Sequence, residues 1–243
     1  MAGDFQIPEL LLVDLDGTLI DVDMQSFIPA WLSGIAGRLS DAGQAAAFPG
    51  RARLAIRRLL EPGDGHCCND QRFFTAMNED GGFDPDELRW AIDRFCRDGM
   101  RDLAGLVRPV AGVGEFLGAV ASSGVKLVLA TNPVFPEEAI RARMAWGGLE
   151  ADSFDLVTDW GNSRHCKPEA GYFLDILDQF GVSADRALMV GNDTGHDMAA
   201  GRVGMGTFLV DTHLVERTPD WPADRRGSLV DLARLLGGGD GIF

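Results

Sequence analysis

One short stretch, LLVDLDGTL at residues 11–19, constrains the fold more than any other part of this 243-residue chain. Four apolar residues lead directly into Asp14, and Asp16 and Gly17 follow at once. A short apolar run that ends at a glycine turn is typical of a buried strand in a parallel sheet. Ligands of open α/β sheets bind beyond the carboxyl ends of the strands, which is where these two carboxylates fall.

Two aspartates in such a position need a partner. Burying an unpaired carboxylate costs several kcal/mol, since even a neutral polar group costs ~2–7 kcal/mol. A divalent cation is the natural partner for two closely spaced acids. The alternative is a strand that ends in an ordinary polar turn, because Asp-Gly is a common turn pair.

Three further segments carry polar side chains in a comparable setting, which favours the first interpretation. They supply Thr131 and Asn132 after the apolar run LVLA, Lys167 before Pro168 at a predicted helix start, and Asn192, Asp193 and Asp197 within MVGNDTGHD. Apolar segments alternate with helical ones through this part of the chain, which predicts a three-layer α/β fold with a parallel sheet.

In their order and spacing, the four motifs resemble those of the haloacid dehalogenase-like superfamily of hydrolases. The resemblance covers nearly all of the chain outside residues 20–108. It implies a Rossmann-like core in which the first strand is central and is flanked by the strands that end at Thr131 and Gly191. All four motifs are then expected to meet at one edge of the sheet.

The segment from residue 24 to residue 106 has a helical pattern instead. Phe27 and Trp31 share one helical face, residues 48–60 are predicted as a second helix, and Asp84 begins a capping box. A crossover between parallel strands needs only about a dozen residues, so the segment is an insertion, like the cap of many members of the superfamily. We therefore predict an all-helical cap domain at residues 20–106 and a core domain formed by residues 1–19 and 107–243.

The resemblance also implies a role for each motif residue. Asp14 is the expected nucleophile, which forms an aspartyl-phosphate, and Asp16 is the expected general acid and then base. Thr131 and Lys167 are expected to bind phosphoryl oxygens, and Lys167 also holds Asp14 as a cation. Further donors are expected from the backbone amides of Leu15 and Asn132.

Mg²⁺ is the cofactor that the resemblance implies, because this ion takes few protein oxygens and keeps several waters. The expected ligands include the Asp14 carboxylate, the backbone carbonyl of Asp16 and, as a ligand or an acid behind the ligands, Asp197. In much of the superfamily an aspartate directly follows the glycine of the fourth motif, whereas here Asn192 does. Either Asp193 binds the metal or Asn192 does so through its carbonyl oxygen with weaker affinity, and we favour Asp193.

Composition restricts the partners and the compartment. Acidic residues outnumber basic ones by 37 to 22, a net charge of −15 that argues against nucleic acid or an anionic membrane. No apolar run approaches the ~18–20 residues of a membrane span, and the N-terminal segment lacks the features of a signal peptide. The four cysteines show no CxxC spacing, which favours reduced thiols in a cytoplasmic protein.

The sequence thus predicts a Mg²⁺-dependent phosphatase that acts on a small phosphorylated metabolite and leaves the oligomeric state open. A phosphomutase on the same core and a non-catalytic phosphate-binding or regulatory protein are the alternatives. Asp16 argues against a haloacid dehalogenase, which carries no acid at that position. A phosphonatase would need a lysine in the cap, and no lysine occurs between residues 20 and 108.

The cap is expected to set the choice of substrate, and two groups of its side chains have two interpretations each. The arginines of the second predicted helix either bind a second anionic group or form a solvated face; they are Arg51, Arg53, Arg57 and Arg58. The aromatic residues either line a pocket or pack in the core; they are Phe27, Trp31 and Phe74.

Overall fold

The structure, a computed structural model, describes residues 5–79 and 81–238, so the predictions for residues 1–4, 80 and 239–243 lie outside the described residues. The strands in these ranges are β1 (Leu10–Val13), β2 (Ile20–Val22), β3 (Val107–Pro109), β4 (Lys126–Leu129), β5 (Leu156–Val157), β6 (Ala187–Gly191), β7 (Gly206–Val210) and β8 (Arg225–Gly227). The α-helices are α1 (Met24–Ala36), α2 (Ala42–Leu59), α3 (Asn69–Asn78), α4 (Pro85–Asp98), α5 (Val113–Ser123), α6 (Glu137–Trp146), α7 (Ala170–Phe180) and α8 (Leu229–Leu236). Short 3₁₀ helices lie at Met100–Leu106, Ala151–Ser153, Ala184–Arg186 and Met198–Val203. None of the helices described has the length and apolarity needed to cross a membrane.

Six strands form one parallel sheet in the order β5-β4-β1-β6-β7-β8. The central position of β1 between β4 and β6 confirms the expected strand order. Val13 pairs with both Leu129 and Val190, so the carboxyl ends of the three strands are level. The residues that follow them therefore emerge at one edge of the sheet.

The two faces of the sheet bury separate apolar clusters, because successive side chains of a strand point to opposite faces. Leu11 and Val13 pack with Phe116 of α5 and Leu232 of α8. Leu10 and Leu12 pack in a second cluster, whose helical members include Tyr172, Phe173 and Ile176 of α7. Helices therefore cover both faces, which confirms the three-layer α/β fold.

The helices α1 to α4 lie between β2 and β3, which pair with each other as an antiparallel ribbon. We call residues 24–106 the helical insertion; the domain boundaries given above stay a prediction. Helix α2 begins at Ala42, well before the predicted start at residue 48. Asp41 caps this start by accepting a hydrogen bond from the Gln44 amide at 2.8 Å, and Pro49 is accommodated inside the helix.

Aromatic residues join the helical insertion to the core. Phe27 and Trp31 are fully buried and meet Phe135 edge to face, with ring centroids 6.0 and 5.2 Å away. Phe74 packs against Trp160 with centroids 6.0 Å apart. These contacts support the core-packing interpretation of the aromatic residues.

Candidate active site

The residues that follow β1, β4 and β6 line one cavity of about 630 Å³, a size typical of small-molecule sites. Eight of the predicted site residues meet there: Asp14, Asp16, Thr131, Asn132, Lys167, Asn192, Asp193 and Asp197. The level ends of the parallel strands explain this convergence. The side chain of Leu15 is instead fully buried in the core, and the role expected for its backbone amide stays a prediction.

The Lys167 ammonium group links two carboxylates of the site. Its Nζ atom donates hydrogen bonds to Oδ1 of Asp14 at 2.7 Å and to Oδ1 of Asp197 at 2.6 Å. The Lys167 side chain is only 2% exposed. Burial acts to lower the pKa of Lys167, but the two carboxylates outweigh it and raise this pKa above its ordinary value. The lysine is therefore a fixed cation.

Asp14 is buried among more negative than positive charge. Burial, together with the smaller effect of the negative charges on Asp197 and Asp16, raises the pKa of Asp14 to about 7 against the attraction of Lys167. A single lysine therefore does not fully compensate this carboxylate. The imbalance marks a position where additional positive charge is favourable.

Thr131 and Asn132 are held by hydrogen bonds from neighbouring segments. The Thr131 carbonyl accepts hydrogen bonds from the hydroxyl groups of Thr158 and Tyr172, each at 2.9 Å. Oδ1 of Asn132 accepts a hydrogen bond from the Lys167 amide at 3.0 Å. The Asn132 side chain thus ties the loop after β4 to the segment that supplies the lysine.

Asp16 is paired with an arginine that the sequence analysis did not identify. Nη1 of Arg143, on α6, lies 2.7 Å from both carboxylate oxygens of Asp16. The guanidinium group is fully buried and contacts the rings of both Phe27 and Phe135, with Cζ 5.4 and 4.7 Å from their centroids. Nη2 of Arg143 has no hydrogen-bond partner among the described residues. The rings therefore fix the arginine that holds the acid.

The fourth motif forms a tight loop in which two carboxylates accept hydrogen bonds from the backbone amides of the loop. Oδ2 of Asp197 accepts a hydrogen bond from the Asp193 amide at 3.0 Å. Oδ1 of Asp193 accepts hydrogen bonds from the amides of Gly195 and His196 at 3.0 and 2.9 Å. Oδ2 of Asp193 is ion-paired with Nε of Arg217. Both carboxylate oxygens of Asp193 therefore already have donors.

The carboxamide of Asn192 and the carboxylate of Asp14 share a hydrogen-bond donor. The Thr18 hydroxyl lies 3.3 Å from Oδ2 of Asp14 and 3.3 Å from Oδ1 of Asn192, so both oxygens converge on one hydroxyl. Nδ2 of Asn192 donates to the His213 carbonyl at 2.6 Å, which fixes the orientation of the amide. Gly17 has a φ of +87°, and a Cβ atom there would lie 2.2 Å from Nδ2 of Asn192, so this turn requires glycine.

The side-chain oxygens available in the cavity restrict the kind of metal ion that fits. No three histidine, cysteine, aspartate or glutamate side chains of residues 5–79 and 81–238 form a cluster that would hold a metal alone. Mg²⁺ needs no such cluster, because it keeps several waters and binds substrate phosphate. The oxygens of Asp14 and Asn192 converge on one point, and the charge of the Asp14 carboxylate is not fully compensated. These two features fit an ion of this type.

Three residues of the site were not predicted from the sequence: Arg143, Thr18 and Arg217. They differ in how clearly the sequence marks them. Arg143 shares a buried helix face with Ala139, Ile140 and Met144, and a cation at an apolar helix position is a recognisable signal. Thr18 belongs to the first motif itself. Arg217 lies in the loop after β7 and has no local pattern that would predict its contact.

The chain is similar to known hydrolases in sequence. The profile of the haloacid dehalogenase-like hydrolase family matches residues 8–204. A phosphoglycolate phosphatase from Rhodospirillum rubrum is 27% identical over 215 residues, which are 88% of this chain and 83% of that protein. A phosphoserine phosphatase from Thermus thermophilus is 30% identical over 158 residues, which are 64% and 60% of the two chains.

Solved structures share the fold. A HAD phosphatase from Thermococcus onnurineus superposes with a TM-score of 0.57 at 24% identity and covers 95% of this chain and 99% of its own. An L-2-haloacid dehalogenase from Xanthobacter autotrophicus superposes with a TM-score of 0.56 at 18% identity and covers 95% and 99%. Since the family profile extends through all four motifs, from before β1 to the 3₁₀ helix after β6, the chain belongs to the haloacid dehalogenase-like hydrolases.

Proposed function

We propose that this hydrolase is a Mg²⁺-dependent phosphatase that acts on a small phosphorylated metabolite through an aspartyl-phosphate on Asp14. The observation that carries the proposal is the buried Asp14 carboxylate, held by Lys167 in a cavity that a second acid, Asp16, also lines. The names of the phosphoglycolate and phosphoserine phosphatases among its relatives support hydrolysis of a phosphate monoester.

In the first step, a carboxylate oxygen of Asp14 attacks phosphorus and the bond from phosphorus to the ester oxygen breaks. Asp16 gives its proton to that oxygen, so the alcohol leaves uncharged. Lys167 and Thr131 offset the charge on the phosphoryl oxygens. Asp16 then accepts a proton from water, whose oxygen attacks phosphorus, and the bond to Asp14 breaks to release phosphate.

Bound Mg²⁺ supplies positive charge that offsets repulsion between Asp14 and the phosphate. The side-chain oxygens of Asp14 and Asn192, with the backbone carbonyl of Asp16, would hold it. Both oxygens of Asp193 already accept hydrogen bonds or an ion pair. Oδ1 of Asn192 also has a donor, but that donor is the Thr18 hydroxyl, which it shares with Asp14. This shared contact with Asp14, and the ion pair between Asp193 and Arg217, support Asn192 as the ligand in preference to Asp193, the residue favoured from the sequence.

The main test is hydrolysis of p-nitrophenyl phosphate with Mg²⁺ by the wild type and by Asp14→Asn. Without the nucleophile we expect kcat to fall by a factor on the order of 10⁴–10⁶. Asp178→Asn, an exposed acid on α7, is the matched control and should retain full activity. Wild-type protein that turns over no phosphate ester would instead favour a non-catalytic phosphate-binding protein.

A second prediction concerns the stability of the metal-free protein. The Asp14 carboxyl titrates near pH 7 in the folded state and near about 4 when unfolded, so the folded state holds the extra proton between these values. The free energy of unfolding therefore decreases as pH rises through this window. The measured quantity is the free energy of unfolding of the wild type minus that of Asp14→Asn, both in EDTA. This difference should decrease by about 1–4 kcal/mol between about pH 5 and about pH 8. Urea unfolding measures it, and a constant difference would contradict the prediction.

The metal ligand is tested by separate substitutions in the fourth motif. Asn192→Ala should weaken Mg²⁺ binding about tenfold, and Asn192→Asp should tighten it, because the new carboxylate adds charge beside the ion. Asp193→Asn keeps a hydrogen-bond acceptor in the loop and should change the Mg²⁺ midpoint by less than about threefold. The measurement is the Mg²⁺-dependent rise in melting temperature. A larger loss in Asp193→Asn than in Asn192→Ala would restore Asp193 as the ligand.

We infer that Arg143 positions the general acid, since it holds both oxygens of Asp16. Nitrophenolate leaves without a proton, whereas an alkoxide does not. Arg143→Met should therefore slow hydrolysis of an alkyl phosphate at least about tenfold more than that of p-nitrophenyl phosphate. Asp16→Asn should show the same pattern more strongly. Arg141→Met removes an exposed cation of the same helix and is the control; an equal loss with both esters would reduce Arg143 to a structural role.

A further inference from the structure

The wall of the cavity that residues 21–60 contribute is mostly apolar. It consists of Asp21, Val22, Met24, Gln25, Ile28, Ile56 and Leu60. From the core, Val134, Phe135 and Val215 continue the apolar surface. The acids and the lysine of the candidate active site thus share their cavity with a continuous set of aliphatic and aromatic side chains.

Two of these apolar side chains stay exposed in the folded protein. Leu60, just after α2, is 37% exposed, and Val215, in the loop after β7, is 36% exposed. They come from the helical insertion and from the core, and both line the same cavity. Large apolar groups that remain accessible in a concave site favour the binding of an apolar ligand.

The same part of the wall contains no cation to pair with a carboxylate. Asp21 is its one charged residue, and its sign repels an anion. Arg51 lies over the ring of Phe83, 5.7 Å from the centroid, and Arg58 pairs with Glu79. Neither arginine lines the cavity.

The lysine and the arginine on the core side of the cavity already have acidic partners. Lys167 is bound to two acids and Arg217 to Asp193. Of the two histidines that line the cavity, His196 has its Nδ1 atom 3.5 Å from Oδ2 of Asp193, and His213 is exposed at the surface. A carboxylate on the organic part of the substrate would therefore lose water without finding a lysine or arginine that has no acidic partner, which is costly.

We propose that the substrate is a phosphate monoester whose organic group is apolar and uncharged and packs against Ile28, Ile56 and Leu60. The proposal rests on the phosphatase function given above. It differs from the activities in the names of the relatives, because phosphoglycolate and phosphoserine both carry a carboxylate close to the phosphate. The cavity volume of about 630 Å³ also leaves room for a larger organic group.

The test uses the full chain with Mg²⁺ and pairs of esters that differ in one group. Ethyl phosphate is compared with phosphoglycolate, and 4-methylphenyl phosphate with 4-carboxyphenyl phosphate. The uncharged member of each pair should have a kcat/KM about tenfold or more higher. Along the series ethyl, butyl and hexyl phosphate, kcat/KM should rise by up to about fourfold for each methylene buried.

Two variants connect this preference with the apolar wall. Ile56→Ala and Ile28→Ala should each reduce kcat/KM for hexyl phosphate about tenfold while changing that for ethyl phosphate by less than about threefold. Leu54→Ala is the matched control, since Leu54 is on the same helix as Ile56, is 58% exposed and does not line the cavity. Melting temperatures show which variants fold.

The outcomes separate the two proposals. Turnover of no ester overturns the phosphatase function, and this inference with it. Turnover in which the carboxylate member of each pair is preferred, or in which chain length has no effect, overturns the apolar substrate alone. Equal losses for ethyl and hexyl phosphate in both alanine variants likewise overturn the proposed contact with the wall.

Discussion

The buried ammonium group of Lys167 is the interaction on which the rest of the site depends. It has hydrogen bonds to Asp14 after β1 and to Asp197 after β6, so it joins segments that are far apart in the chain. A lysine removed from water is stable only with such partners, and removing one partner of a buried pair costs ~3–5 kcal/mol. The same ion pairs therefore hold the edge of the sheet together and set the charge of the cavity.

The charge balance around this lysine explains why the cavity suits a phosphate together with a divalent cation. The ion pairs of the site join four carboxylates to three cations: Asp14, Asp16, Asp193 and Asp197 to Lys167, Arg143 and Arg217. A phosphate ester would add further negative charge to a site that is already short of positive charge. A divalent cation such as the proposed Mg²⁺ would offset both, and its binding would then be coupled to that of the substrate.

The motif residues were predictable from sequence because each follows an apolar strand or, like Lys167, shortly precedes a helix, and parallel strands bring such ends together. The sequence offers no basis for choosing between Asn192 and Asp193 as metal ligand, because the contact of Asp193 with Arg217, which comes from a distant loop, has no local pattern. Arg143 was missed because its partner Asp16 lies 127 residues away. The strands β2, β3 and β8 have three residues each, too few to show a period of two.

The fold alone does not distinguish a phosphatase from a dehalogenase, because solved structures of both superpose on this chain equally well. The distinction has to come from side chains. A halide leaves without a proton, so a carboxylic acid beside the nucleophile has no task in that reaction. Asp16 lines the cavity and a fully buried arginine holds it in place. An acid kept at this position has a chemical use where the leaving atom is an oxygen that must be protonated.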